Sequence, residues 1–207
     1  MNYELGDKMN LKEEFIKLGY TEDDYNEIRN SYPLINIKDE TISIHLKDIF
    51  TFFLECGYTK EEVIKMTKAL PQIYGLSIKN MKQKIADVMD LGYTKEEVIK
   101  MTKTLPQIYS LSIENMKQKI DFYNLIDMHE LAVIDAKNLM QSINLSYARY
   151  SFYIDLGINI DMNNYRKLFV GQKDFEKAYR ITKKELLEKY DYNKYKEEKE
   201  KENGRII

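Results

Sequence analysis

The 207-residue chain predicts an all-α fold, a helical-repeat solenoid. Three observations predict it. First, Gly57–Ile85 and Gly92–Ile120 match over 29 positions except at Ala69/Thr104, Gly75/Ser110 and Lys79/Glu114. Second, helix caps and prolines recur at fixed places in both copies. Third, apolar residues recur at three- and four-residue spacing, and strand alternation is absent. The period is 35 residues, from Gly57 to Gly92. One such unit cannot bury its apolar face alone, so stacked copies must share a core.

Within a copy the elements follow in order. Thr59 and Glu62 form a Thr-x-x-Glu capping box that starts a first helix, and Thr94 and Glu97 repeat it. Val63, Met66, Thr67 and Leu70 then fall on one helical face. Pro71 stops that helix and opens a short second one, because proline lacks the N–H a helix interior needs but suits a first turn. Ser77 is the expected N-cap of a third helix, with Ile78, Met81, Ile85 and Met89 as its buried stripe. Gly92 ends it in a left-handed cap. A diverged copy begins at Gly19, and its Gly19-to-Pro33 spacing of fourteen equals Gly57 to Pro71 and Gly92 to Pro106.

The expected organisation is repeats over residues 1–158, with units near 19–56, 57–91, 92–126 and 122–157. The last keeps its length and its closing Leu156–Gly157 but loses the proline, as befits a terminal unit. Residues 159–190 read as a small helical cap, with Thr182 and Glu185 as another capping box. Residues 191–207 read as a charged tail, a candidate for disorder. Asn10 and Glu13 read as the cap pair of a leading helix.

The net charge of −2 conceals an asymmetry. Met1–Glu55 carries 6 basic and 12 acidic residues, Cys56–Ile120 carries 11 and 7, and the remainder 15 and 15. The near-identical copies are therefore the basic part. Lys65 and Lys68 are expected on the outer face of the first helix. Lys82 and Lys84, with Lys117 and Lys119, flank the stripe of the third helix, and stacking would align them into rows able to meet successive phosphates. Arg149, set among aromatics in Tyr147–Tyr153, is a candidate for stacking on bases, though Tyr150, Tyr153 and Ile154 read as core at their helical spacing. Arg166 and Arg180, on the C-terminal helices, are candidates for bidentate phosphate contacts.

The Leu91–Gly92–Tyr93 opening, Glu96–Glu97–Val98, Leu105–Pro106–Gln107–Ile108 and Leu111–Ser112 resemble the repeat of the mitochondrial transcription termination factor (mTERF) family. The likeness runs from about Leu18 to Gly157. It implies a solenoid of about four three-helix units, left-handed rather than right-handed. It also implies nucleic-acid binding, to DNA or RNA, on the concave face, and a role in transcription. The alternative on the same fold is a protein–protein interaction scaffold using that surface, for which 17 tyrosines are suitable interface residues.

Chemistry is expected to be absent. Glycine fingerprints for nucleotides are missing. His45 and His129 are isolated, and Cys56 takes the repeat position of Leu91 as a small apolar residue. One cysteine and two histidines are too few for a Cys/His zinc site. The expectation is a non-catalytic monomer without cofactor, metal or membrane span. Met1–Phe15 has four acids and no arginine, so a cytoplasmic, bacterial-like or untargeted relative is expected.

Overall fold

The computed structural model describes residues 10–31 and 36–204, with the side chains of 199, 200 and 202–204 excepted. Pro33 lies outside the described residues. Every regular element among them is helical. The chain divides into two compact units, Met1–Ile113 and Glu114–Ile207.

The first unit holds α1 (Leu11–Leu18), α2 (Glu22–Arg29), α3 (Asp39–Glu55), α4 (Lys60–Ala69), α5 (Ile78–Met89) and α6 (Lys95–Thr104). The caps expected at Thr59, Thr94 and Ser77 form. The hydroxyls of Thr59 and Thr94 accept from the N–H of Glu62 and Glu97 in full capping boxes, and Ser77 accepts from Asn80. Thr21 and Asp24 make a further box in the diverged copy. Asn10 caps α1 through the N–H of Lys12. The prolines open single 3-10 turns, Pro71–Gly75 and Pro106–Tyr109. Val63, Met66, Thr67 and Leu70 are buried as expected. The stripe of α5 runs instead through Met81, Ile85 and Val88, and Met89 is 40% exposed.

Each third helix ends in the same turn. Gly19, Gly57, Gly92 and Gly157 have positive φ, and so does Asp127, at 53°. The turn residue donates to the carbonyl three back (Gly57 to Leu54 at 3.0 Å), and the next residue donates to the carbonyl five back (Tyr58 to Phe53 at 3.0 Å). This Schellman arrangement satisfies carbonyls a helix end leaves open and brings two apolar side chains together. Here the pairs are aromatic, Phe15 with Tyr20 at 5.0 Å and Phe53 with Tyr58 at 5.1 Å. A Cβ on Gly57 would meet nothing within 4 Å, so only backbone strain opposes a side chain there. Gly57→Ala should therefore lower stability by about 1–2 kcal/mol in denaturant titration. Unchanged stability would show that the turn relaxes without penalty.

Successive repeats in the first unit are joined by buried hydroxyls. Thr67 and Thr102 donate to the carbonyls of Val63 and Val98, and so are left to accept from tyrosine. Tyr20 lies 2.9 Å from Thr67 and 2.8 Å from the Tyr74 hydroxyl, and Tyr58 lies 2.6 Å from Thr102 and 3.5 Å from Tyr109. Ion pairs border these clusters. Lys68 bonds Asp24 at 2.7 Å and Glu27 at 2.9 Å, and Lys103 bonds Glu62 at 2.8 Å. Thus a capping-box carboxylate of one repeat also holds a lysine of the next. The Lys68 ammonium, followed by the backbone of Thr21, pulls the Asp24 carboxyl down to about 2. Lys68 is consequently an inter-repeat link and not the free outer-face lysine expected.

The second unit holds α7 (Ile113–Leu125, whose first residue closes the first unit), α8 (Leu131–Ile134), α9 (Ile143–Asp155), α10 (Gln172–Tyr179), α11 (Lys183–Lys189) and α12 (Tyr192–Gly204). Its repeat opens at Asp127, not near Phe122. Asp127 to Gly157 is 30 positions against 35 from Gly92 to Asp127, so this repeat is shortened. The shortening falls on α8, a single turn, and Asp135–Ala136 replaces the leucine–proline pair before its 3-10 turn. Tyr153 is buried and Tyr150 half-buried as core, but Ile154 is 44% exposed. The charged tail is not free: α12 packs on α9, with Tyr192 buried against it.

Candidate nucleic-acid interface

The third helices of each unit supply the candidate residues, because their closing turns fix a common register in the sequence. Ten residues before each turn stand Lys47 on α3, Lys82 on α5, Lys117 on α7 and Tyr147 on α9. All three lysines are exposed. In the first unit α3 packs against both α1 and α5, which makes Lys47 and Lys82 equivalent positions on neighbouring helices. Lys117 bonds Asp121, one turn on, at 2.7 Å, and that bond raises its pKa. Lys82 and Lys95 both act on the Cys56 thiol: burial pushes the thiol up, and the two ammonium groups oppose it. Cys56 itself is half-buried.

Of the residues selected from sequence, Lys82 and Lys117 occupy this register. Lys84 and Lys119 do not. The Lys84 ammonium donates to the Leu111 carbonyl at 2.7 Å, and Lys119 donates to the Leu139 carbonyl. Burial lowers the Lys119 pKa. Two residues along a helix turn a side chain by about 200°, so Lys84 points inward where Lys82 points out. These two lysines bind their own chain.

Arg149 is likewise withdrawn from solvent, at 2% exposure. Its guanidinium donates to the carbonyls of Leu168 at 2.8 Å and Val170 at 2.7 Å and to Gln172 at 3.1 Å, and it lies over the Phe175 ring at 4.7 Å. It cannot stack on a base. Arg166 sits on the 3-10 turn Tyr165–Phe169, not on an α-helix, and Arg180 caps α10 in the left-handed region. Both are exposed, and neither forms an ion pair among the described residues. The structure therefore keeps Lys82, Arg166 and Arg180 available, leaves Lys117 exposed but paired with Asp121 of its own helix, and adds Lys47. Sequence reading missed Lys47 because its repeat has diverged. The signal was its distance of ten residues from Gly57.

His129 is bonded to Asn124 at 2.6 Å. Among the described residues no group of three histidine, cysteine or acidic side chains could hold a metal ion, and no helix is long and apolar enough to cross a membrane. In the first unit Lys47 and Lys82 offer exposed cations on neighbouring helices, suited to a polyanion. The mTERF family model matches residues 1–130, which takes in Lys47, Lys82 and Lys117. No curated protein matches the chain.

Proposed function

The chain belongs to the mTERF family of helical-repeat, nucleic-acid-binding proteins, and from that premise we propose that it is a non-catalytic nucleic-acid-binding protein that modulates transcription. The observation that carries this reading is the exposed lysine ten residues before the turn on α3, α5 and α7. Phosphate contacts from Lys47, Lys82 and Lys117 supply affinity without reading sequence. Arg166 and Arg180 add forked donors in the C-terminal part. The family is generally non-enzymatic, and the side chains on these surfaces assemble no nucleophile with a base. A second reading, a protein-interaction scaffold, draws support from the apolar residues exposed beside the lysines.

Fluorescence anisotropy with random duplex DNA, single-stranded DNA and RNA at about 50 and 200 mM salt tests the proposal. Binding should weaken steeply with salt. Lys47→Ala/Lys82→Ala/Lys117→Ala should reduce the log–log salt slope by about 0.9 for each duplex phosphate no longer neutralised, roughly 2.7 in all. Across this salt range the variant's affinity should then fall by a factor about 40 times smaller than the wild type's. Lys84→Ala should leave the slope unchanged and lower stability instead, since its ammonium serves the Leu111 carbonyl. Absence of binding to all three probes at about 50 mM salt would refute the reading.

A further inference from the structure

The second unit shows how a helix can lie on the face that carries the lysine register. Counted from their turns, α7 presents Lys117, Asp121 and Asn124, and α9 presents Tyr147, Ser151 and Ile154. α12 lies against the α9 part of this face. The rings of Tyr192 and Tyr195 sit 5.4 and 5.1 Å from that of Tyr147. Burial raises the Tyr192 phenol, as its packing on α9 requires. Burial also raises Tyr147, with a further contribution from Glu198 of α12. The covering helix itself is acidic beyond its tyrosines, with Glu197 and Glu198 following Tyr195.

In the first unit the same positions are Lys47, Thr51 and Leu54 on α3 and Lys82, Ala86 and Met89 on α5. All six are exposed, Leu54 at 36% and Met89 at 40%. Ile16, three residues before its own turn on α1, extends the apolar row at 44%. We propose that the exposed face of α3 and α5 docks an acidic amphipathic helix of a partner protein, laid down as α12 lies on α9. Leu54 and Met89 meet its apolar face, and the short side chains of Thr51 and Ala86 admit its backbone. Lys47 and Lys82, two turns or about 10.5 Å further along, meet its carboxylates. Where α9 offers Tyr147 to a helix bearing Glu198, α3 and α5 offer lysines, so the charge match is better than on the covered face. Nucleic-acid phosphates would leave Leu54 and Met89 without a use. The inference goes beyond the phosphate reading and stands without it, although the two ligands share Lys47 and Lys82 and so exclude one another.

The test uses the full chain and a fluorescein-labelled synthetic helix of about five turns, with leucine at heptad a and d positions and glutamate on the rest of its surface. Two comparison helices carry lysine for glutamate, or serine for leucine. The Leu/Glu helix should bind at least about tenfold more tightly than either comparison. Leu54→Ser/Met89→Ser should weaken it about tenfold while leaving nucleic-acid binding as in the wild type, and Lys47→Glu/Lys82→Glu should weaken both. Both apolar residues are exposed, so circular dichroism of the serine pair should overlay the wild type. If it does not, Leu54→Gln/Met89→Gln replaces it. Binding that is indifferent to these substitutions, as displacement of α12 would give, overturns the proposal. So does equal binding of the lysine helix, or no binding of the Leu/Glu helix. Failure of nucleic-acid binding alone would overturn only the phosphate reading.

Discussion

Arg149→Met is expected to lower stability by about 2–5 kcal/mol, although methionine nearly fills the space and removes a charge. The reason lies in what the guanidinium serves. The carbonyls of Leu168 and Val170 take their hydrogen bonds from Arg149 at 2.8 and 2.7 Å, and Gln172 takes a third. A buried carbonyl left without a donor, as that of Leu168 would be, costs about 1–3 kcal/mol, and the part-buried Val170 carbonyl adds less. Relief of the arginine's own desolvation, which lowers its pKa, offsets part of this. Its bonding partners are carbonyl oxygens and not a carboxylate, so no orphaned charge remains behind. Arg149→Lys should be almost as damaging, because a point ammonium cannot fork to two carbonyls and lie over Phe175 as well. Denaturant titration gives the magnitude. Hydrogen exchange gives the place: amides of residues 158–175 should exchange faster, while those of α1–α6 hold their rates. A methionine variant within about 0.5 kcal/mol of wild type would mean that the segment is held by its apolar packing alone.

How legible this fold is in the sequence depends on how local each signal is. Capping boxes, Ser77 and the prolines act within four residues, and they stand where the sequence puts them. Periodicity is less exact, since one residue turns a helix by about 100°. That is why Met89 reads as buried when Val88 is, and why Ile154 reads as core when Tyr153 is. The end of the last repeat is legible from Gly157, but its start is an aspartate in the conformation glycine usually takes, which no pattern of glycines can reveal. Docking of α12 rests on Tyr192 and Tyr195, three apart in a charged run. Their spacing is visible in the sequence, but the surface that receives them comes from α9.

The lysines show the same limit at the site. Lys65 and Lys68 share a helix, yet Lys65 is exposed and Lys68 reaches two carboxylates of the preceding repeat. Lys82 and Lys84 differ likewise. A net charge counts all four alike, whereas a phosphate meets those whose ammonium is exposed and not held by another repeat. Part of the basic character of the near-identical repeats thus holds the repeats together. The part left for a polyanion follows from register against the turn.

Removal of the Tyr58 side chain is expected to have the largest effect in the first unit, and graded substitutions separate its ring from its hydroxyl. Tyr58→Ala deletes both the buried ring packed on Phe53 and the hydroxyl beside Tyr109, and should cost about 4–5 kcal/mol. Tyr58→Phe keeps the ring and leaves the Thr102 and Tyr109 oxygens to find other partners in a dry site, for about 1–3 kcal/mol. Thr102→Val removes the acceptor instead. If the hydroxyls act as a unit, the cycle of Tyr58→Phe with Thr102→Val should give a coupling of about 1 kcal/mol or more. A coupling near zero would mean that each hydroxyl finds water by itself. Tyr20→Phe should exceed Tyr58→Phe, because Tyr20 bonds its second partner at 2.8 Å where Tyr58 has 3.5 Å. The pH dependence gives an independent reading. Burial pushes the Tyr58 phenol from 10.0 up to about 12, so the folded state holds its proton after the unfolded chain has released it. Tyr58 thus contributes stability in full below pH 10.0 and loses it as the pH rises toward about 12. Tyr58→Phe should flatten that alkaline decline. A decline of unchanged steepness would assign it to the other buried tyrosines, Tyr74 and Tyr109, whose phenols burial raises further still.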